Sequence, residues 1–246
     1  MDKQTAIIIP ARYGSSRLQG KPLIEVCGKT IIQWVWEKAM AAKLADKVII
    51  ATDNDEIFKT AQSFGAEVEM TSNAHQSGSD RIAEVVSRHP EIAYIVNLQG
   101  DEPLMTSDSI DKVIENVRND SLADISTLIR ELTDDIENPN LVKCVIDNSG
   151  YALYFSRSKI PYERSSGHAK FYGHLGIYGY KRDALLKMTS LPPSSLELSE
   201  SLEQLRALQN NMKIKTAVVD FLPVGIDTSE DLEKFKKILQ KNACNL

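Results

Sequence analysis

Short apolar runs alternate with longer amphipathic segments through the first half of this chain, and that alternation limits its folds severely. Ile7-Ile8-Ile9 and Val48-Ile49-Ile50 show no polar alternation. Each is expected to be a strand buried on both faces, the situation of parallel strands covered by helices. Between them, Ile31, Ile32, Trp34, Val35 and Ala39 recur near a 3.6-residue spacing, which predicts a helix over Thr30–Lys43. The same reading predicts strands at Ala6–Pro10, Lys47–Thr52, Glu67–Met70 and Tyr94–Leu98, with helices at Asp55–Ser63 and Ser79–Arg88. Strand and helix in repeated succession imply parallel strands joined by right-handed crossovers. The expected class is α/β, with a mostly parallel central sheet and helices on both faces.

The second half reads differently. Val142–Asp147 and Tyr151–Ser156 flank Asn148-Ser149-Gly150, a hairpin signal that predicts added antiparallel strands. Gly173–Tyr180 and Lys213–Asp220 are further strands, and Leu196–Asn210 is a helix with Leu198, Leu202 and Leu205 as its core stripe. Ser229–Lys241 closes the chain as a helix, with Ser229 placed as its N-cap. No linker, repeat or low-complexity tract interrupts this, so one domain over 1–246 is expected. A chain of 246 residues, 42% of them hydrophobic, can bury a core without staples.

The three cysteines, Cys27, Cys144 and Cys244, offer neither metal-ligand spacing nor a disulfide framework, which suits a reducing cytoplasm. No uncharged apolar stretch approaches membrane-spanning length, and the run Ala6–Pro10 is too short for a signal-peptide core and is stopped by Arg12. With 29 Lys+Arg against 34 Asp+Glu the net charge is −5, and the basic excess of a nucleic-acid binder is absent.

Arg12 to Lys21 is the loop that follows the first strand. Arg12, Arg17 and Lys21 lie in it without a carboxylate, and Gly14 and Gly20 let backbone N–H groups approach a ligand. Such a loop can form an anion nest whose cations neutralise a triphosphate; the same composition also suits a solvated basic turn. A Walker A loop is excluded, since five residues separate Gly14 from Gly20 and Pro22 follows Lys21. No GxGxxG follows a strand either.

Ile8-Ile9-Pro10-Ala11-Arg12, continuing to Ser16-Arg17-Leu18-x-Gly20-Lys21-Pro22-Leu23, resembles the signature loop of the sugar-activating nucleotidyltransferases. Further blocks are Ala51-Thr52-Asp53, His75-Gln76-Ser77-Gly78-Ser79-Asp80-Arg81, and Val96-Asn97-Leu98-Gln99-Gly100-Asp101-Glu102-Pro103. Later come Ala152-Leu153-Tyr154-Phe155-Ser156-Arg157, His174-Leu175-Gly176-Ile177-Tyr178-Gly179-Tyr180, Leu202-Glu203-Gln204-Leu205-Arg206 and Asp227-Thr228-x-Glu230-Asp231-Leu232. Together they resemble the 3-deoxy-manno-octulosonate (Kdo) cytidylyltransferase family, from Ile7 to about Lys237.

The resemblance implies a Rossmann-like nucleotidyltransferase fold and the reaction of CTP with Kdo to CMP-Kdo and pyrophosphate, with Mg²⁺, for lipopolysaccharide synthesis. It further implies a cytoplasmic homodimer, with a nucleotide-binding portion over about 1–120 and a sugar-binding and dimerisation portion over about 121–246. The same reaction on sialic acid or an amino-substituted Kdo stays open as an alternative, as does a catalytically silent nucleotide-binding module.

Asp101 follows the strand Tyr94–Leu98 at its carboxyl edge, where ligands of open α/β sheets lie, and Asp227 precedes the last helix. Taken alone, each suits a turn or a cap. Arg12 and Lys21 are expected to stabilise the departing pyrophosphate; the resemblance makes both aspartates metal ligands, with Glu102 as a further candidate that also suits a role in supporting the loop. It places Ser15, Ser16 and Arg17 with Arg12 and Lys21 around the nucleotide, and Ala11, Ser77, Gly78 and Arg81 along base and ribose. Along Gly173–Tyr180, His174, Tyr178 and Tyr180 share one face and Leu175 and Ile177 the other. That pattern alone fits the wet side of a sheet. The resemblance instead implies a sugar pocket containing Gln99, His174, Tyr178 and Glu203; the sugar carboxylate also needs a cation, for which Arg157 and Arg164 are the candidates. Glu203 is also spaced to pair with Arg206 on a helix surface. His75 and His89 lack metal-ligand spacing, and His89 is expected to end a helix.

Overall fold

The computed structural model describes residues 3–14, 18–165, 167–221 and 225–243. Ser15, Ser16, Arg17 and Cys244 therefore lie outside the described residues. The chain starts with β1 (Gln4–Ala11), a 3₁₀ turn (Lys21–Leu23), the short strands β2 (Glu25–Val26) and β3 (Lys29–Thr30), and α1 (Ile31–Met40). Next come β4 (Lys47–Thr52), α2 (Asp55–Ser63), β5 (Glu67–Met70), α3 (Gly78–Arg88), β6 (Ile92–Asn97) and α4 (Ser107–Asn119). β7 (Ile125–Leu132), β8 (Lys143–Ile146), β9 (Ala152–Ser156) and β10 (Phe171–Lys181) follow. The chain continues through α5 (Arg182–Ser190), α6 (Ser195–Glu200), α7 (Gln204–Gln209), β11 (Ile214–Val218) and α8 (Ser229–Ala243). This is the expected α/β class, with parallel strands early and antiparallel additions late. Among the described residues, no helix is long and apolar enough to cross a membrane.

Two compact units divide the chain. One comprises Met1–Ile92, Asn97–Asp111 and Pro223–Leu246; the other comprises Ala93–Val96 and Lys112–Leu222. In the first, β1 and β4 run parallel with Ile7 opposite Val48 and Ile9 opposite Ile50, and β5 adds parallel to β4. Ile7, Ile8, Ile9, Ile49 and Ile50 are fully buried, as their unbroken apolar runs require. Side-chain caps set the helix starts. Thr30 accepts from Gln33 N at α1, Asn54 accepts from Glu56 and Ile57 N at α2, and Ser77 with Asp80 forms a capping box at α3. His89 ends α3, as expected. A smaller apolar cluster of Val26, Ile31, Ile226 and Phe235 anchors α8 and the residues just before it. Trp34 meets Phe235 edge-on at 6.1 Å between ring centroids.

In the second unit β7 lies between antiparallel β10 and parallel β11; β8 pairs with β10, and β9 with β8. The hairpin turn forms where expected. Asp147 Oδ1 accepts from Ser149 N at 2.8 Å and Tyr151 N at 2.9 Å, and Gly150 supplies the positive φ of +79°. Lys143 is fully buried, and its Nζ donates to the carbonyls of Asn138 (2.8 Å), Leu141 (2.6 Å) and Arg157 (2.6 Å).

Several expectations need correction. The helix over Leu196–Asn210 is two helices, because Ser201 takes a left-handed φ of +53° and turns the chain between α6 and α7. Leu198 consequently leaves the core stripe and is 68% exposed, while Leu202 and Leu205 stay buried. Arg206 is no surface residue: it is 7% exposed and is held by both carboxylate oxygens of Glu197. The cap of α8 is Thr228 rather than Ser229, since Thr228 Oγ1 accepts from Asp231 N at 3.2 Å. Finally, α4, β7 and α5 fall in stretches where the sequence reading placed no element.

Candidate active site

The glycine-rich loop folds back on itself. Gly20, at φ +65°, donates its N–H to Tyr13 O at 3.1 Å and so starts the 3₁₀ turn that Pro22 stiffens. Lys21 is delivered by that turn. Its Nζ lies 2.7 Å from Asp101 Oδ2 and 3.0 Å from Asp227 Oδ1, across 80 and 206 residues of sequence. Side-chain exposure is 12% for Lys21, 30% for Asp101 and 46% for Asp227, so the ammonium is largely shielded while the carboxylates keep an open side.

Two backbone features bring the acids there. A Cβ on Gly100 would lie 2.9 Å from Pro10 O, so only glycine lets the loop after β6 lie against the end of β1. Asp101 O accepts from Ile226 N at 2.9 Å, which seats the segment carrying Asp227 beside it. Asp231 then holds that segment through Thr228 N at 3.1 Å and Thr228 Oγ1 at 2.9 Å.

Glu102 has a different character. Its Oε2 is buried and has no hydrogen-bond partner among the described residues. Burial first, then the charges of Asp101 and Asp227, push its carboxyl up to about 8. Asp101 and Asp227 thus share the Lys21 ammonium, beside a third carboxyl that burial above all keeps protonated. Hard oxygen donors in that state fit a magnesium ion, which takes one or two carboxylates and fills its remaining positions with phosphate and water. No group of three or more His, Cys, Asp or Glu side chains able to hold a metal ion occurs among the described residues.

Beside this cluster lies a cavity of about 150 Å³ lined by Pro10, Ala11, Arg12, His75, Gln76, Ser77, Gly78, Arg81 and Gln99. Six of the residues proposed for ligand binding line it: Ala11, Arg12, Ser77, Gly78, Arg81 and Gln99. The amino terminus of α3 is at Ser77 and Gly78, and its partial positive charge favours an anion. Arg12 is exposed at this cavity. Arg81 is 3% exposed, and its guanidinium bonds Asp53 Oδ2 at 2.7 Å, Thr71 Oγ1, and Ser72 O at 3.4 Å. Its role in this structure is to clamp the strand ends that frame the cavity. Gln99 Nε2 donates to Asn97 Oδ1 at 3.1 Å, and His75 is tied to Glu84. His75 and Gln76 were missed as lining residues, although their block was visible in the sequence. A larger cavity of about 280 Å³ opens beside Trp36, Lys47 and Glu67, where β4 and β5 begin. None of the proposed residues lines it, and it lies at the edge opposite to the one where parallel sheets bind ligands.

In the second unit, β10 sets His174, Tyr178 and Tyr180 in a row with ring centroids 5.3 and 6.0 Å apart, and Phe155 meets His174 edge-on at 5.0 Å. Leu175 and Ile177 point the other way and are buried. Thr127 Oγ1 lies 3.0 Å from His174 Nε2. Burial pushes the His174 imidazole down to about 3, so it is neutral at ordinary pH. Arg157 gives its side-chain N–H groups to the carbonyls of Glu200 (2.7 Å), Pro139 (3.1 Å) and Ser201 (3.4 Å). Arg164 is exposed on a loop. Glu203 immediately precedes α7, with its Oε1 3.9 Å from Arg206 Nη2.

The cytidylyltransferase family model matches residues 6–214. A 3-deoxy-manno-octulosonate cytidylyltransferase of Thermodesulfovibrio yellowstonii is 48% identical over 250 residues, spanning 96% of this chain and 98% of that one. One from Elusimicrobium minutum is 47% identical over 244 residues, spanning 97% and 99%. The solved structure of a CMP:2-keto-3-deoxy-manno-octonic acid synthetase complexed with CTP superposes with a TM-score of 0.94 at 39% identity, covering 98% of this chain and 100% of that one. A 4-diphosphocytidyl-2C-methyl-D-erythritol synthase from Anaerococcus prevotii, at 15% identity and a TM-score of 0.65, shares the fold alone. With the match running almost end to end, this chain belongs to the cytidylyltransferase family and, within it, to the 3-deoxy-manno-octulosonate cytidylyltransferases.

Proposed function

We infer that this enzyme transfers CMP from CTP to the anomeric hydroxyl of Kdo and releases pyrophosphate. The observation that carries the reading is the convergence of Lys21, Asp101 and Asp227 on one point. A cavity at the amino terminus of α3 lies beside it. The transfer forms a bond between the anomeric oxygen and the α-phosphorus, breaks the bond from that phosphorus to the bridging oxygen, and frees the hydroxyl proton. An α-phosphorus ringed by negative oxygens resists attack, so alignment and charge neutralisation are the protein's main tasks.

Asp101 and Asp227 would hold a magnesium ion. When bound, it supplies Lewis-acid neutralisation of the phosphate oxygens and lowers the pKa of the attacking hydroxyl. Lys21, poised between the two aspartates, exchanges carboxylate oxygens for those of the departing pyrophosphate, and Arg12 adds a second cation at the cavity. The capped start of α3 turns its positive end toward the nucleotide. On the sugar side His174 and Tyr178 offer polar contacts from β10, and Glu203 adds an acceptor. Of the two arginines considered for the sugar carboxylate, the exposed Arg164 has the freer guanidinium, since Arg157 is tied to three carbonyls.

The residues over about 1–120 serve the nucleotide and those over about 121–246 the sugar and dimerisation, in a cytoplasmic homodimer serving lipopolysaccharide synthesis. Pyrophosphate release with CTP and Kdo, against UTP and ATP, against sialic acid and amino-substituted Kdo, and with Mg²⁺ or a chelator, tests the whole reading. CTP binding without pyrophosphate release in the presence of any sugar acid would establish a silent module instead. Sedimentation of the purified chain tests the dimer.

A further inference from the structure

Thr127 is fully buried on β7 opposite Tyr178, where the pairing of β10 shifts register between Leu175 and Tyr178. Its hydroxyl faces three groups. Ile177 O is at 2.8 Å, Leu175 O at 3.2 Å and His174 Nε2 at 3.0 Å. A hydroxyl carries one proton and two lone pairs. Both carbonyls can only accept, so the proton goes to a carbonyl, and the nearer is Ile177 O. What remains for His174 is a lone pair, and a lone pair is met only by a nitrogen that carries hydrogen. In the neutral ring the proton therefore sits on Nε2 and Nδ1 is bare. Among the described residues no protein hydrogen bond to Nδ1 accompanies the one at Nε2, and His174 as a residue is half-buried.

We propose that Thr127 is a positioning residue that fixes His174 as its Nε2–H tautomer, so that Nδ1 accepts a hydrogen bond from a hydroxyl of the sugar acid. The proposal rests on the reading of the β10 row as part of the sugar site. It assigns His174 to a sugar hydroxyl and leaves the carboxylate to a cation, because a neutral ring with a bare nitrogen would repel a carboxylate. The low affinity of the buried ring for a second proton supports the assignment. It also links the register shift to the site: beside it the Thr127 hydroxyl bonds the Ile177 carbonyl and thereby controls the neighbouring imidazole.

The test uses the full chain with ¹⁵N-labelled histidine, whose four residues are resolved by two-bond proton–nitrogen correlation near neutral pH. The expected spectrum shows His174 protonated at Nε2 alone. Thr127→Val keeps the shape but removes the hydroxyl; it should mix the tautomers and raise KM for Kdo on the order of tenfold, with KM for CTP unchanged. Thr127→Ser should restore both. A parent spectrum with the proton on Nδ1 overturns the proposal even if Thr127→Val fails to fold. So does a folded Thr127→Val with mixed tautomers and unchanged KM for Kdo. Absence of turnover of the parent with any sugar acid would instead remove the functional reading, while the nitrogen spectrum, which needs no substrate, still decides the tautomer.

Discussion

Replacing Arg81 by leucine separates a clamp from a mere surface charge. The Arg81 side chain is 4% exposed and that of its partner Asp53 19%, with Nη2 2.7 Å from Oδ2 and further bonds to Thr71 and Ser72. Removing one partner of a buried ion pair costs about 3–5 kcal/mol, because the other charge stays buried without compensation. Water reaching Asp53 softens that to about 2–4 kcal/mol for Arg81→Leu. In a chain of this length each kcal/mol moves Tm by roughly 2–4 °C, so thermal unfolding followed by circular dichroism should shift down by about 4–16 °C. The companion Asp53→Asn should cost less, and the double variant should show a coupling of about 1–3 kcal/mol. A Tm for Arg81→Leu within about 2 °C of the parent would refute the clamp and return Arg81 to direct nucleotide contact alone.

Asp101→Asn keeps the shape of the acid but halves the charge facing Lys21, and turnover should fall on the order of 10²–10⁴-fold, measured by pyrophosphate release with folding checked separately. Near-normal turnover would remove Asp101 from the chemistry. Lys143→Met leaves three carbonyls without their shared donor and should lower stability by about 3–5 kcal/mol in a urea titration; an unchanged midpoint would contradict the arrangement. His174 has a folded pKa pushed down to about 3 from an ordinary 6.5, so its contribution to stability is complete above about pH 6.5 and is lost as pH falls toward 3. Against the parent, His174→Gln should flatten that acid limb of the stability profile. Gly100→Ala, whose Cβ would meet Pro10 O at 2.9 Å, should displace Asp101 and reduce turnover more than it reduces Tm.

Much of this molecule was legible because the relevant physics is local. Unbroken Ile and Val runs announce β1 and β4, and Asn148-Ser149-Gly150 announces its hairpin, since burial on both faces and a positive φ each demand particular residues at particular spacings. The pattern in α4 is equally regular, with Ile110, Val113, Ile114 and Val117 all buried and Thr106 Oγ1 accepting from Ser109 N at its start, so this helix too is legible in the sequence. The split of α6 from α7 escaped for a physical reason: the apolar spacing runs on through Ser201, and nothing local marks a left-handed turn there.

By itself, then, the sequence determined the alternation of strands and helices, the basic glycine loop, and the residue types that phosphate and sugar chemistry require. Only the tertiary structure decided that Lys21 lies between Asp101 and Asp227, that Arg81 is a buried clamp, and that the Thr127 hydroxyl stands against His174 Nε2. Periodicity records which way a side chain faces along its own element. It holds no information on which distant carboxylate, carbonyl or hydroxyl will stand opposite, because that depends on how strands pair and loops return across the whole chain.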